Sequence, residues 1–164
     1  MGELDDLERF LREQQRSTEE QKQDWDRRRQ QFLTETQVLL GRIKEWLQPL
    51  AGKGLVHFSD TTSVLDEWHA GHYTAAGLVA KFGGAEVRFV PVGAEIVGAL
   101  GRVDVEGPKG HVSLLLRSEM TRPIGPNKVT DRLLWQVTTP PPKIRYIDLS
   151  RDTLAQAIRG VLGA

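Results

Sequence analysis

The segment DEWHAGHY, residues 66–73, contains side chains that can bind a transition metal. On a helix, His69 and His72 would share one face, and Asp66 would join them as a third ligand. However, Ala70-Gly71 interrupts a helix at this point, and a spacing of three on a strand places the two imidazoles on opposite faces. The HExxH pattern of zinc proteases is also absent. We therefore expect a polar turn here and no metal site.

A second group of polar residues lies in segments that alternate between apolar and polar positions. The alternation predicts that Arg102, Asp104, Arg117 and Gln136 emerge on one face of adjacent strands. Such a set would bind an anion or a small polar ligand, and these four are the candidate ligand-binding residues. The simpler interpretation is a cross-strand ion pair, which contributes at most about 1 kcal/mol.

The densest basic run is Arg27, Arg28 and Arg29, next to Trp25. Arginines near an aromatic ring can contact phosphates. On a helix these three point to different sides and have acidic neighbours, so nucleic-acid binding is the weakest of the functions considered. The phosphate-binding and nucleophile motifs GxGxxG, GxxxxGK[ST] and GxSxG are absent. We expect no catalytic residue and no cofactor.

Composition narrows the class of protein. The chain of 164 residues carries 22 Lys+Arg and 22 Asp+Glu, so it lacks the basic excess of a nucleic-acid binder. It has no cysteine, which excludes disulfides, thiolate metal sites and thiol catalysis and is consistent with a reducing compartment. The first residues, MGELDDLERFL, do not resemble a signal peptide, and no apolar run is long enough to cross a bilayer. We expect a cytoplasmic protein that does not interact with membranes.

Residues 3–50 predict a long helical arm. They are rich in Glu, Gln, Arg and Leu, and Gly41 and Pro49 are the only helix breakers among them. A continuous helix of this length measures about 70 Å, more than a domain of the remaining residues can cover. Ser17, with Glu20 three residues later, matches a capping box, so a helical hairpin broken there is an alternative to one helix. A solvated helix held by local charge pairs is a third interpretation.

A heptad seam runs along this arm, with an apolar start, a polar middle and an apolar end. Its predicted contacts with a partner are Leu4, Leu7, Leu11, Trp25 and Phe32. Both parallel and antiparallel pairing with a second copy agree with this seam. Between Val38 and Leu50 the apolar face widens, as expected for a helix that lies on a core.

After residue 50 the periodicity changes to two, and several β segments are predicted. Gly83-Gly84 is a hairpin turn between two of them. Residues 60–63 are read as a turn that leads into a short helical piece over 64–68, and residues 118–131 are read as a long loop. Ser150 caps a final helix. The predicted strands are 55–59, 73–82, 85–91, 95–100, 102–106, 111–117, 132–138 and 143–148.

The predicted sheet has two different faces. Val103, Leu114 and Trp135 belong to a fully apolar face, which needs cover from the last helix and from the helix around 38–50. The opposite, mixed face holds Leu115 and Leu134 among polar groups, and it is where we expect a second interface or a ligand.

These patterns predict an α+β protein: a long N-terminal helical arm, a curved antiparallel meander of about six or seven strands and a short C-terminal helix. The expected domains are the coiled-coil-like arm, 1–50, and the sheet domain, 51–164. The sequence assigns no reaction and no ligand. We expect a non-enzymatic interaction or scaffold protein that self-associates through its arm, most simply as a dimer, with a further protein partner also considered. The alternative is a small-ligand-binding protein or enzyme that uses the mixed face.

Overall fold

The computed structural model describes residues 2–120 and 131–164. The chain forms three helices and one seven-stranded sheet among these residues. The helices are α1 Glu3–Trp46, α2 Gln48–Gly52 and α3 Arg151–Leu162; the strands are β1 His57–Glu67, β2 Gly71–Phe82, β3 Ala85–Gly93, β4 Gly101–Gly107, β5 Gly110–Met120, β6 Asp131–Thr138 and β7 Tyr146–Asp148.

The sheet is an antiparallel meander in which each strand pairs with the next along the chain, in the order β1 to β7. The predicted hairpin at Gly83-Gly84 is confirmed, since Phe82 pairs with Ala85 across it. The predicted strands 102–106 and 111–117 are confirmed as a second hairpin, since Gly107 pairs with Gly110 between them. The α+β layout expected from the sequence is therefore the observed one.

The first helix is continuous, so the hairpin with a break at Ser17 is wrong. Next to Ser17, the Thr18 hydroxyl donates to the carbonyl of Gln14 at 2.9 Å, one turn earlier in the same helix. The helix ends at Trp46, and Pro49 lies in the first turn of the short α2, where its missing N–H is tolerated.

One face of the sheet is covered by the two helices, as expected. The second half of α1 buries Leu39, Leu40 and Ile43 against it, and α3 buries Leu154 and Ile158. Ser150 caps α3, with its Oγ accepting from the N–H of Thr153 at 3.2 Å. The helices and the apolar side of β4, β5 and β6 form one core, which includes Val103, Leu114 and Trp135.

Five predicted elements differ from the structure. The turn at 60–63 and the helical piece at 64–68 are instead part of β1, which pairs with β2 over its whole length. Residues 95–100 are not a strand; Gly98 turns the chain with φ of 78°, and only an isolated bridge joins Ile96 to Ala99. The last strand begins at Tyr146, later than predicted. The loop predicted at 118–131 is shorter, because β5 reaches Met120 and β6 begins at Asp131; the rest of that prediction lies outside the described residues.

Candidate functional site

The first part of α1 extends beyond the other described residues of the chain. Every residue from Gly2 to Asp24 is exposed, and Trp25 is the first that is partly buried. At about 1.5 Å per residue, the helix from Glu3 to Asp24 therefore presents roughly 33 Å of its length to solvent. We call this segment, Glu3 to Asp24, the free arm. Its surface includes local ion pairs such as that between Glu8 and Arg12, at 2.8 Å.

An apolar stripe lies along the outer end of the free arm. Leu4 is 78% exposed, and Leu7, Phe10 and Leu11 are each a little more than half exposed. Leu4, Leu7 and Leu11 also line a shallow recess of about 350 Å³. Three of these four residues were predicted from the heptad seam. Phe10 was missed because it lies beside that seam, and its apolar side chain on an exposed helix was the available signal.

The free arm meets the sheet at a three-layer stack. The Trp25 indole lies on the His69 imidazole, with ring centroids 5.1 Å apart and planes 10° from parallel. The guanidinium carbon of Arg28 lies 4.2 Å from the centroid of the Trp25 ring. Arg29 Nη1 donates to the carbonyl of Ala70 at 2.8 Å, so the helix is fixed to the turn between β1 and β2. Trp25, a predicted partner contact, is thus held at the base of the arm and keeps only part of its surface free.

Phe32, the last predicted partner contact, is fully buried at 0% exposure. Its ring lies against Gly101 at the start of β4, and it belongs to the core of its own chain. The heptad line therefore continues from the free arm into the core, and Trp25, which is partly exposed, is the last position on it that a partner can reach.

Two carboxylates organise the loop that follows β3. Glu67 accepts hydrogen bonds from the N–H of Ala94 at 2.9 Å, from the N–H of Glu95 at 2.7 Å and from the Tyr73 hydroxyl. Burial, together with the hydrogen bond to the Glu67 carboxylate, raises the pKa of Tyr73 above its ordinary range. Glu95 in turn accepts from the N–H of Ala70 at 3.1 Å and lies 3.0 Å from Nδ1 of His69. These two carboxylates therefore hold the backbone of the loop after β3 and of the turn between β1 and β2 in place.

The predicted polar turn at 66–73 is the connection between β1 and β2, with parts of both strands. His69 stacks on Trp25, whereas His72 is exposed, and its Nδ1 lies 4.0 Å from Oδ1 of Asp66. Within the described part of the chain, no three His, Asp or Glu side chains are grouped as a metal site requires. Glu95 and Tyr73, which complete this cluster, were not singled out from the sequence. Glu95 joins it through contacts with residues 25 and 26 positions earlier, whereas Tyr73 joins it through a hydrogen bond to Glu67, six positions earlier.

The four candidate ligand-binding residues lie on the mixed face but form two separate groups. In the first, Asp104 accepts from Nε and Nη2 of Arg102 at 2.7 and 2.9 Å, and from the Ser113 hydroxyl at 2.9 Å. The hydrogen bonds to Asp104 raise the pKa of Arg102, so its positive charge is retained. The ion pair is within one strand and not across two, and Asp104 is buried.

The second group lies on β5, β6 and β7. Arg117 Nη1 donates to Oε1 of Gln136 at 2.9 Å, and Nε2 of Gln136 donates to Asp148 at 2.9 Å. The Arg117 guanidinium also lies 4.1 Å from the centroid of the Tyr146 ring. In both groups most of the polar atoms already have partners in the chain, so the four residues do not converge on one anion.

A groove of about 590 Å³ lies on the mixed face beside the first group. It is lined by Leu115 and by three exposed apolar side chains, Val97, Ile144 and Tyr146. Arg102 reaches it from one side. Arg117, Gln136 and Leu134 do not line it; they surround a smaller recess of about 210 Å³.

The arginine run offers little free charge for phosphate. Arg27 pairs with Asp24 at 2.7 Å and Arg29 pairs with Asp26 at 3.2 Å, while Arg28 stacks on Trp25. In residues 2–120 and 131–164, no helix has the length and apolar character needed to cross a membrane. Neither a family model, nor a curated protein, nor a solved structure matches the chain.

Proposed function

We propose that the protein is a non-enzymatic interaction protein that self-associates through its free arm, as a dimer in the simplest case. The observation that carries this proposal is the stripe of Leu4, Leu7, Phe10 and Leu11, more than half exposed on a helix that extends away from its own core. Exposed apolar side chains scattered singly need no explanation, but a continuous stripe with heptad spacing is typical of helix pairing. Because the chain has no cysteine, we assign this assembly to the reducing cytoplasm.

The size of the stripe indicates a weak, concentration-dependent dimer. Burying what remains exposed of each side chain contributes roughly 1 kcal/mol, or about 8 kcal/mol for two arms. Association itself costs about 4–15 kcal/mol in lost freedom. The four residues alone therefore give a marginal contact, and additional surface is needed for a stable dimer.

The test is the solution mass of the full chain over a range of concentrations. We expect a dimer that dissociates on dilution, and we expect Leu7→Asp to leave a monomer, because it places a charge in the seam. Leu55→Asp is the matched control, since Leu55 is similarly exposed but lies outside the arm. A wild-type chain that stays monomeric at high concentration, or a Leu7→Asp variant that still dimerises, would refute the proposal.

A second candidate function is binding of a small, mainly apolar ligand in the groove beside Leu115. The observation that favours it is the concave, apolar lining with Nη1 of Arg102 not engaged by Asp104. This combination suits an apolar molecule with one anionic group. Anilinonaphthalene sulfonate has that chemistry, so we expect its fluorescence to rise with the protein and to be lost with Leu115→Lys. Equal binding by the wild type and that variant would remove this function.

A further inference from the structure

The base of the free arm has a recess that the described residues of its own chain do not fill. It measures about 470 Å³ and is lined by Gln21, Asp24, Trp25, Arg27 and Arg28. One side of it is therefore the partly exposed Trp25 indole, which offers apolar contact. This recess and the apolar stripe lie at opposite ends of the same free arm.

The charges of the two ends are opposite. Glu3, Asp5, Asp6 and Glu8 precede the first basic residue of the arm. At the base, residues 22–29 hold four basic and two acidic residues. Neither Lys22 nor Arg28 forms an ion pair among the described side chains. The acidic outer end of one arm is therefore attracted to the base of a partner's arm, whereas it is repelled by the acidic outer end of that arm.

We infer that two copies of this chain pair their free arms antiparallel, so that the stripe of each arm fills the recess beside Trp25 of the other. This inference rests on the proposed self-association and adds its orientation and register. In the heptad frame, the register that does this places Leu7 opposite Trp25, Leu11 opposite Gln21 and Gln14 opposite Thr18. The apolar outer end then meets an aromatic ring, and the polar middle of each seam meets the polar middle of the other.

The flanking charges distinguish this register from a parallel one. In an antiparallel pair, a residue that flanks the seam lies beside a residue at the same heptad position of the other arm. Glu8 and Lys22 occupy the same heptad position, so Glu8 of one arm lies beside Lys22 of the other, and this pair occurs twice in the dimer. Parallel pairing instead brings Glu3 beside Glu8 of the partner and leaves the recess at Trp25 unfilled. The two orientations therefore predict opposite effects when the charge at position 8 is reversed.

The first experiment measures the dimer dissociation constant of full-length variants at low salt. We expect Glu8→Lys to raise it about ten-fold, because two attractive pairs become repulsive. We expect Glu8→Lys combined with Lys22→Glu to restore it. Glu13→Lys carries the same charge change on the outer side of the helix, and we expect it to leave the constant unchanged. A Glu8→Lys variant that dimerises more tightly would overturn the orientation.

The second experiment uses the absence of native cysteines. In the full chain carrying Leu11→Cys and Gln21→Cys, mild oxidation should link position 11 of one copy to position 21 of the other. In a parallel pair those positions are about 15 Å apart along the axis, beyond the ~7 Å that a disulfide spans. Links of 11 to 11 and 21 to 21, or no link in a chain that still dimerises, would overturn the inference.

The outcomes separate the inference from the proposal that it rests on. If Leu7→Asp abolishes the dimer but Glu8→Lys has no effect or the 11–21 link is missing, the arms associate in another arrangement and only the inference fails. If Leu7→Asp leaves the dimer intact, self-association through the arm fails as well.

Discussion

Replacing Gly101 with Ala should destabilise the fold by overpacking Phe32. Gly101 begins β4 with an ordinary backbone conformation, so the substitution introduces no backbone strain. A Cβ at this position would lie 2.8 Å from Cε1 and 3.2 Å from Cγ of the Phe32 ring, and closer still to Cδ1. These separations are shorter than ordinary carbon contacts, so the ring or the strand must shift.

The magnitude follows from the burial of that ring. Phe32 is fully buried, so its ring has no free volume to enter. Inserting a methyl group into such a core costs about 1–3 kcal/mol, and we expect a loss of about 2 kcal/mol. Phe32→Ala alone should cost about 3–5 kcal/mol, because it leaves a cavity. In the double variant the new methyl lies in that cavity, so the combined loss should be smaller than the sum of the two single losses by more than about 0.5 kcal/mol.

The assay is urea unfolding followed by far-ultraviolet circular dichroism, at one fixed protein concentration so that association contributes equally to every variant. Gly41→Ala is the matched control. It adds the same methyl to an exposed turn of α1, where no described atom outside the neighbouring helix backbone lies within 4 Å, and it should stabilise the chain by up to about 1 kcal/mol. If Gly101→Ala behaved like Gly41→Ala, or if the two losses at 101 and 32 were additive, Phe32 would not pack on β4, and its assignment to the core would be wrong.

Two further predictions concern the pH range and a helix cap. In the Tyr146→Phe variant, Tyr73 is the only tyrosine. The pKa of Tyr73 is raised in the folded state. Its contribution to stability is therefore present below pH ~10 and is lost as the pH rises through the pKa of the folded state. We therefore expect tyrosinate absorbance to appear above pH ~10 only together with unfolding, whereas the urea-unfolded chain should titrate near pH 10; titration of the folded chain at that pH would contradict the burial of Tyr73. Ser150→Ala should lower the free energy of unfolding by about 1 kcal/mol, because α3 loses its cap, while Ser59→Ala on the exposed side of β1 should change it by less than about 0.5 kcal/mol. Equal urea midpoints for these two serine variants would refute the role of the cap.

The sequence predicted those parts of the fold that local patterns specify. Gly83-Gly84 marked a hairpin because a two-residue turn of this kind needs a residue with positive φ, and Gly83 has φ of 64°. The strands of Val103, Leu114 and Trp135 were predicted because alternation distinguishes the buried face. Ser150 was predicted as a cap because its side chain can replace a missing backbone partner.

The parts of the fold that the sequence did not predict depend on contacts between residues that are far apart in the chain. The predicted turn at 60–63 is polar, but β2 supplies a partner for every residue of β1, and pairing outweighs the local preference of Asp60. Residues 95–100 are mostly apolar, as in a buried strand, yet the Glu67 carboxylate holds the N–H groups of Ala94 and Glu95, and Gly98 turns the chain. A side chain almost thirty residues away is not visible in a local pattern.

For the candidate site, the spacing of the apolar residues identified the heptad seam, but it did not show at which residue the seam becomes part of the core. Leu4 and Phe32 lie on one heptad line, and nothing in their residue types separates the exposed one from the buried one. That boundary depends on where the sheet meets α1, at the stack of Trp25 on His69. The mixed face was predicted correctly as a face, but the pairing of Arg102 with Asp104, separate from Arg117 with Gln136, needed the hydrogen-bond geometry.

Truncation of the chain tests this boundary directly. The free arm forms its helix as a continuation of α1, whose core-packed half already supplies the nucleus, so the arm does not need a partner in order to be helical. Removing residues 1–24 should therefore abolish the dimer. Compared with the monomeric Leu7→Asp variant, it should change the free energy of unfolding by less than about 0.5 kcal/mol, because every residue from Gly2 to Asp24 is exposed. Removing residues 1–34 also deletes Trp25 and Phe32, and it should cost at least the ~3–5 kcal/mol of a lost buried aromatic residue. If the shorter truncation already destabilised the monomer by several kcal/mol, the arm would pack against its own sheet in solution, and it would not be free to bind a second copy.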